Sequence, residues 1–274
     1  GAYKYFNLSF SKVYEFRSLS AEVANIGVMA YIVGWTYKVF IVFALAYFLM
    51  KKRFGWVFLL IVIQVFYYGV SAHKSVLFTP FMVIGVWFYL TRFKTLLIMP
   101  IGFTSIIIIA YLAYVLFNNM MLPSMFIRRV FFVPAQLSFD YFEFFNNNEF
   151  VVWSNSILSR FRDYPYDLSL PKLIGEYNGS GASSNNGFIS SGYAHFGYLG
   201  VVMYSIIFGL ILRMLNYAAY YGLPMWFTLA MTITPLRDSL ISSDLFTTLL
   251  THGLLVALIL LLLSINKIKE HNVS

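Results

Sequence analysis

The chain has 274 residues, of which 60% are hydrophobic, 20% aromatic and only 11% charged. A soluble globular domain carries about 25% charged residues, so this composition excludes that class and indicates an integral membrane protein. The chain has no cysteine, which excludes disulfide bonds and thiolate chemistry. Because the sequence begins Gly-Ala-Tyr-Lys rather than with Met, we expect it to start partway into a longer protein with further helices upstream.

Apolar runs of roughly 20 residues recur along the chain, which is the length a helix needs to cross the hydrocarbon core of a bilayer. We predict an all-α integral membrane protein with about seven transmembrane helices, forming one membrane domain over residues 1–274. A lysine at mid-bilayer costs free energy, so Lys38 favours an alternative start of the first span nearer Thr36. The predicted spans are residues 28–50, 54–71, 75–91, 96–117, 195–215, 220–236 and 246–265.

The longest connection, residues 118–194, is predicted to be a partly helical extracytoplasmic loop. Residues 125–145 are apolar and aromatic, which predicts one or two amphipathic helices broken near Pro134. The three consecutive asparagines at 146–148 are expected to end this helical region. Residues 151–161 are predicted to form a further short helix. Residues 163–186 are dense in Pro, Gly, Ser and Asn, which predicts irregular structure.

Basic residues divide unevenly between the two sides of the predicted bundle. One alternating set of connections holds eight Lys and Arg with one acid, whereas the other holds ten of each. Lys38, inside a span, completes the net charge of +8. Since Lys and Arg concentrate in short cytoplasmic connections, the first set is assigned to the cytoplasm. The N-terminal segment and the long loop then face outward, and the positive charge needs no nucleic-acid partner.

Several cations on the predicted outer side are not required by this topology rule. Guanidinium groups bind phosphate through paired hydrogen bonds and stay charged. Arg128 and Arg129 are adjacent within an apolar stretch, where two like charges favour an anionic ligand. The alternative for each cation is contact with lipid headgroups or pairing with a nearby carboxylate. The predicted diphosphate-binding residues are Arg17, Lys74, Arg128, Arg129 and Arg237.

Metal and cofactor motifs are absent from the sequence. None of the four histidines pairs with another at ligand spacing, and neither an Asp-x-Asp motif nor a Walker loop occurs. We therefore predict no metal and no cofactor. Tyrosines crowd the long loop, where they are interpreted either as sugar-stacking rings or as an interfacial aromatic belt.

Residues 183–200 lead small polar residues directly into an apolar helix, and their glycines permit close approach to a ligand or a neighbouring helix. Asn186-Gly187, followed after nine residues by Gly197-x-x-Gly200, resembles the signature of the O-antigen ligase and O-antigen polymerase superfamily. The ligase form carries His where this chain has Asn186, so the match favours the polymerase branch.

The surroundings also resemble bacterial oligosaccharide repeat-unit polymerases, in Arg17 before a span and in segments 69–75, 128–134 and 141–145. The resemblance implies a metal-independent glycosyltransferase of the bacterial inner membrane with its active site facing the periplasm or exterior. It would pass a growing chain from undecaprenyl diphosphate to a sugar hydroxyl of another lipid-linked repeat, building a surface polysaccharide such as lipopolysaccharide O-antigen. The implied partners are the undecaprenyl-diphosphate-linked oligosaccharide, membrane lipid and a membrane protein that regulates chain length.

Such a transfer needs a group that accepts the proton of the attacking hydroxyl. The candidates are His195, Glu22, Asp140 and Glu143, and the predicted sugar-binding residues are Asn186, Tyr141 and Tyr193. A transporter or flippase of lipid-linked oligosaccharide needs the same cations without a base, and it is the alternative. A structural membrane scaffold is the third hypothesis.

Overall fold

The computed structural model describes residues 6, 28–71, 74–93, 95, 97–156 and 158–273. Every regular element within these ranges is helical and none is a strand, which confirms the all-α prediction. In the described part of the chain, five helices are long and apolar enough to cross a membrane, which is the pattern of a multi-pass membrane protein. They are Tyr31–Met50, Phe54–Ser71, Lys74–Arg92, Ile98–Phe117 and Phe188–Tyr220.

The first helix, α1, joins the α-helical segments Val28–Trp35 and Ile41–Met50 through the π-helix Thr36–Phe40. The elements that follow are α2 (Phe54–Ser71), α3 (Lys74–Arg92), α4 (Ile98–Phe117), a short helix Met121–Pro123, a π-helix Ser124–Phe132, α5 (Val133–Asn147), α6 (Leu170–Tyr177), α7 (Phe188–Tyr220), α8 (Met225–Ile241), α9 (Leu245–Leu250) and α10 (Leu254–Val273).

The first four predicted spans agree with α1 to α4 within a few residues. Neither of the last two is among the five apolar helices of spanning length found in the described residues. The span predicted at 220–236 is the 17-residue helix α8. The span predicted at 246–265 is divided between α9 and α10, because Gly253 takes a φ of 79° between them. A positive φ of this kind interrupts a helix and favours glycine.

Within the long loop, the helical structure expected at 125–145 is confirmed, but the break expected near Pro134 is wrong, because the helix continues and only changes from π to α at Val133. The short helix predicted at 151–161 is wrong: the described residues there form turns. Val152 and Trp153 have φ values of 51° and 57°, and this left-handed conformation is incompatible with a right-handed helix.

The irregular structure predicted for 163–186 is wrong in part, because α6 forms over Leu170–Tyr177. Pro171 lies in its first turn, where a missing N–H breaks no helical hydrogen bond. The residues on either side of α6 are turns, bends or irregular chain, as the composition indicated.

The chain divides into two compact units. The first contains α1 to α3, Ile211–Leu236 and the residues from Phe246 onward; α1, α2 and α3 pack against one another within it. The second contains Phe93–Leu210 and Arg237–Leu245. Most of the predicted site residues that the structure describes belong to this second unit.

The defining feature of the second unit is that α7 is not straight. Phe196 has φ −144° and ψ 24°, and Gly197 has φ 58° and ψ −141°, a combination that only glycine adopts readily. The residues before this point, 188–195, fold back along those after it. The rings of Phe188 and Phe208 therefore stack with centroids 4.9 Å apart. In a straight helix these residues would be about 30 Å apart, so α7 is a helical hairpin with its tip at Gly197.

The two arms of this hairpin meet at two glycines. A Cβ added to Gly200 would lie 1.9 Å from the carbonyl oxygen of Gly192, and one added to Gly192 would lie 2.8 Å from that of Gly200. Both obstacles are backbone atoms, so neither can move aside by changing a rotamer. The absence of a Cβ at both positions is what allows the arms to pack.

The arm before the tip also packs on an aromatic core. Its central members, Tyr141, Phe145 and Tyr193, are at most 6% exposed and join residues from α5, α6 and the arm. This core fixes α5 against the hairpin, and it determines which face of α5 is presented to residues 183–190.

We predict that Gly200→Ala destabilises the second unit by about 1–3 kcal/mol, because the new Cβ overlaps a backbone oxygen. Gly209→Ala is the matched control, since a Cβ at Gly209 meets nothing within 4 Å on the same helix. That control is expected to be neutral or to stabilise the helix by up to about 1 kcal/mol. Thermal unfolding of the purified protein, followed by tryptophan fluorescence, measures both. Equal melting temperatures for the two variants would contradict the close packing.

Candidate functional site

A polar cavity of about 140 Å³ lies in the second unit between α5, the beginning of α7 and the C-terminal end of α8. Gly187 is part of its wall. It packs closely on α8, since a Cβ added to it would lie 2.0 Å from the carbonyl oxygen of Leu240. Among the described residues, no charged side chain belongs to the lining. Its members are Pro134, Ala135, Ser138, Asn186, Gly187, Ile189, Ser190 and Leu240.

Asn186 is the centre of the polar wall and is only 4% exposed. The two N–H groups of its amide are shared among three acceptors: the carbonyl oxygen of Pro134 at 3.0 Å, Ser138 Oγ at 3.0 Å and Ser190 Oγ at 2.8 Å. The Ser138 hydroxyl donates to the same carbonyl at 2.9 Å. The predicted sugar-binding asparagine therefore lies in a neutral hydrogen-bonded cluster beside the cavity.

His195 stands next to the hairpin tip and is 2% exposed. Its Nδ1 accepts a hydrogen bond from the backbone N–H of Trp153 at 3.1 Å, so the proton of the neutral ring belongs on Nε2. Nε2 lies 3.9 Å from Asp244 Oδ2. In this geometry His195 holds the left-handed turn at Trp153 against the hairpin. Its unprotonated nitrogen, Nδ1, already accepts a hydrogen bond.

His195 is one of four residues joined in a ring of polar contacts, and the others are Trp153, Tyr204 and Asp244. Trp153 Nε1 donates to the Tyr204 hydroxyl at 2.9 Å, and that hydroxyl donates to Asp244 Oδ2 at 3.1 Å. Asp244 is the partly open member, with 23% of its side chain exposed. Segments distant in sequence are thereby connected through side chains.

The two carboxylates predicted on α5 have different environments. Asp140 is 6% exposed and accepts hydrogen bonds from Gln136 at 2.8 Å and from Asn178 at 2.9 Å. Both its oxygens are thus engaged by neutral amides. Glu143 is exposed and its carboxylate lies beside the Tyr177 hydroxyl. Glu143 is therefore the more accessible of these two predicted bases.

The predicted sugar-stacking rings lie inside the aromatic core rather than on a surface. Tyr141 is 2% exposed and donates to the carbonyl oxygen of Ser184 at 3.1 Å, and burial raises the pKa of its hydroxyl. Tyr193 is 6% exposed and packs against Phe142 at a centroid distance of 4.8 Å. Nearby, burial raises the pKa of the Tyr164 hydroxyl to about 12. These rings stabilise the unit and leave little ring face open to a sugar.

Among the predicted cations, Arg128 and Arg129 stand out. Both are exposed, and neither forms an ion pair with any residue in the described part of the chain. They lie on the π-helix Ser124–Phe132, which continues without a break into α5. Single π-helical turns occur often at functional sites.

The other predicted cations are placed differently. Arg237 is 62% exposed and forms an ion pair with the adjacent Asp238, so its charge is already compensated. Lys74 is exposed and belongs to the first unit. Arg17 and the candidate base Glu22 lie outside the described residues.

No known protein family, curated protein or solved structure matches this chain.

Sequence reasoning missed several residues that the fold brings to this region. Ser138, Trp153, Tyr204 and Asp244 contact Asn186 or His195 but belong to no recognisable motif. Ser138 lies 48 residues and Asp244 lies 49 residues along the chain from the residue that each one meets. The one usable signal was Asp244 itself, an acid in a short polar connection between apolar runs.

We predict that Tyr204→Phe lowers the stability of the protein by about 1–3 kcal/mol, because it removes a buried hydroxyl that both accepts and donates a hydrogen bond. Tyr198→Phe, on the same arm and 70% exposed, is the control and is expected to change stability by less than about 0.5 kcal/mol. Chemical denaturation in detergent provides the comparison. A loss no greater in Tyr204→Phe than in the control would show that the polar ring contributes nothing.

Proposed function

We propose that this protein is a polymerase of lipid-linked oligosaccharides in the bacterial inner membrane. In the reaction, the bond between the first sugar of the growing chain and undecaprenyl diphosphate breaks, and a bond from that sugar to a hydroxyl of another lipid-linked repeat forms. The hydroxyl proton passes to a base, and undecaprenyl diphosphate leaves with the bonding electron pair. The proposal includes a topology of about seven transmembrane spans, with the long loop facing the periplasm or exterior.

The observation that carries the proposal is the arrangement on one continuous helical stretch, residues 124–147. Its beginning presents Arg128 and Arg129, two exposed guanidinium groups without a carboxylate partner in the described residues. Its next turns supply Pro134 and Ser138 to the neutral cavity. A cationic site and a hydroxyl-lined site follow each other within a few turns, which suits a substrate carrying a diphosphate joined to a sugar.

The arginines have the chemistry that the leaving group needs. Charge builds up on the diphosphate as its bond to the sugar breaks, and preorganised cations stabilise that charge. Their guanidinium groups offer paired donors to phosphate oxygens. The surrounding π-helix is rich in Phe, Met and Ile, so lipid tails can lie close to the same surface. For Arg17, which lies outside the described residues, and for Lys74, phosphate binding stays a prediction from the sequence.

The proton acceptor must be a group with an accessible basic atom. Glu143 meets this condition, whereas both oxygens of Asp140 and the Nδ1 atom of His195 are already engaged. We therefore assign the base to Glu143 and a positioning role to His195. Glu22 is kept as the second candidate. This assignment needs no metal and no nucleotide sugar.

The phosphate site is tested with undecaprenyl diphosphate in nanodiscs, using undecaprenol as the ligand without phosphate. We expect Arg128→Ala with Arg129→Ala to weaken binding of the diphosphate, and transfer of a lipid-linked repeat by the purified protein to fall about 10²- to 10³-fold. Replacing both by lysine is expected to retain part of the binding, because charge is kept while paired donation is lost.

The matched control is Arg160→Ala with Arg162→Ala, which removes the same charge from the same unit. Arg162 pairs with Glu149 at 2.6 Å and is not assigned to the phosphate site. Equal loss in the two double variants would indicate a general effect of charge. Wild-type transfer by the Arg128 and Arg129 variant, or movement of lipid across the bilayer without bond formation, would contradict the proposal, the latter in favour of a flippase.

A further inference from the structure

The amide oxygen of Asn186 accepts no hydrogen bond from the described residues, and it is not one of the fully buried atoms that lack a partner, so it remains accessible from the cavity. The side chain as a whole is 4% exposed, and its three hydrogen-bond contacts all involve the amide nitrogen. Among the residues that the structure describes, none donates a hydrogen bond to Oδ1. An accessible acceptor in a cavity wall can take a hydrogen bond from a donor outside the protein chain.

The orientation of this amide follows from its surroundings. The oxygen of Pro134 is a carbonyl and can only accept, so the Asn186 atom 3.0 Å away must be the nitrogen that donates. Exchanging the two amide atoms would place two acceptors against each other. The atom without a partner is therefore an oxygen, and the missing ligand group must be a hydrogen-bond donor.

The cavity beside Asn186 limits what that donor can be. Its volume is about 140 Å³, and a water molecule occupies about 30 Å³ in the liquid, so the space suits a few waters or one small polar group. No charged side chain in the described part of the chain lines it. A phosphate or an ammonium group would lie there without a counter-charge, at a high desolvation cost. A neutral group is the favoured occupant.

The position of the cavity along α7 supports the same conclusion. Asn186 precedes Phe188, which stacks on Phe208, eleven residues and thus roughly 17 Å beyond the tip at Gly197. The irregular backbone of 183–187 consequently runs beside the middle of an apolar helix long enough to span a bilayer. Irregular backbone at membrane depth is tolerated where protein covers it or where it lines a water-filled cavity.

We propose that this cavity binds a neutral hydroxyl-bearing group, whose O–H donates to Oδ1 of Asn186 beside the hydroxyls of Ser138 and Ser190. A sugar and a simple polyol share this chemistry. That the bound hydroxyl belongs to the accepting repeat rests on the proposed function, whereas the binding of a hydroxyl does not. The cavity is then the subsite that orients the acceptor, next to the cations that hold the diphosphate.

The natural absence of cysteine allows a test by labelling. Ser190→Cys introduces one thiol into the cavity wall, and Ser154→Cys, at a serine 2% exposed that does not line the cavity, is the matched control. Both purified proteins are treated with methyl methanethiosulfonate, a small neutral thiol reagent. We expect rapid labelling of the first and slow labelling of the second. No labelling of the Ser190→Cys protein would show a closed cavity and overturn the proposal.

The ligand chemistry is tested by protection, with glycerol and its trimethyl ether as probes. Glycerol can donate hydrogen bonds and the ether cannot. We expect half-maximal protection of Ser190→Cys at a glycerol concentration about fivefold lower than for the ether, the ratio that one hydrogen bond of about 1 kcal/mol provides. Adding Asn186→Leu is expected to abolish this preference. Equal protection by the two probes, or a preference that survives Asn186→Leu, would refute the assignment.

Folding of the variants is monitored within the same experiment. Rapid labelling of Ser154→Cys in the Asn186→Leu background would reveal an unfolded protein, and Asn186→Ala, which removes the same oxygen with less bulk, then replaces it. None of these measurements depends on polymerase activity. Their failure thus removes the hydroxyl subsite alone, whereas failure of diphosphate binding removes the proposed function.

Discussion

The close approach of Gly192 and Gly200 is the contact on which the candidate site depends. It lets α7 reverse at Gly197 and return alongside itself, because neither glycine presents a side chain to the other arm. An alanine at either position would meet a backbone oxygen. The reversal carries residues 183–187 from the hairpin tip to a position beside Phe208, and the contacts of Asn186 with Pro134 and Ser138 follow from that placement.

The reversal also explains why the polar residues of this unit form two separate groups. His195, just before the tip, contacts Trp153 and lies near Asp244, whereas Asn186, at the other end of the same short arm, contacts Ser138 and Ser190. The first group is tightly interconnected and holds a strained turn in place. The second borders a cavity and keeps one oxygen unpaired. Rigidity and ligand access are thus divided between the two ends of one arm.

The helical stretch 124–147 connects this geometry with the proposed chemistry. Arg128 and Arg129 project from its π-helical part, and Pro134 and Ser138 from its α-helical part contribute to the cavity. A rigid helix keeps these groups at a fixed separation, which favours a substrate whose charged and hydroxylated parts are also joined at a fixed distance. The aromatic core around Tyr141 and Phe145 keeps the stretch in register with α7.

The helical class and the first four spans could be read from the sequence, since long apolar runs between charged turns have few alternatives in a membrane. The hairpin could not, because residues 188–220 read as one apolar segment whose reversal depends on the backbone angles of Gly197. The glycines of 192–200 were interpreted as permitting close approach, and the structure shows that the partner is the same helix.

Some site residues could likewise be identified from the local sequence, whereas others depend on contacts between distant parts of the chain. The exposed arginines and Asn186 were selected because charge in an apolar stretch and a polar run before a helix are visible locally. Tyr141 and Tyr193 were selected for chemistry that any tyrosine has. Their burial depends on the aromatic core, whose members come from α5, α6 and the first arm of α7 and are separated in the sequence. Asp244 and Tyr204 were missed because only the tertiary fold brings them to His195.

The most direct test of this account is the distance between spin labels on Ile189→Cys and Leu210→Cys, two exposed positions in an otherwise cysteine-free chain. The hairpin predicts a short separation, of the order of 15 Å, because packed helices lie about 8–10 Å apart and the labels add their own length. A straight helix would place the two positions roughly 32 Å apart, at about 1.5 Å per residue. A distance near the longer value would contradict the hairpin, and with it the cavity and the site built around Asn186.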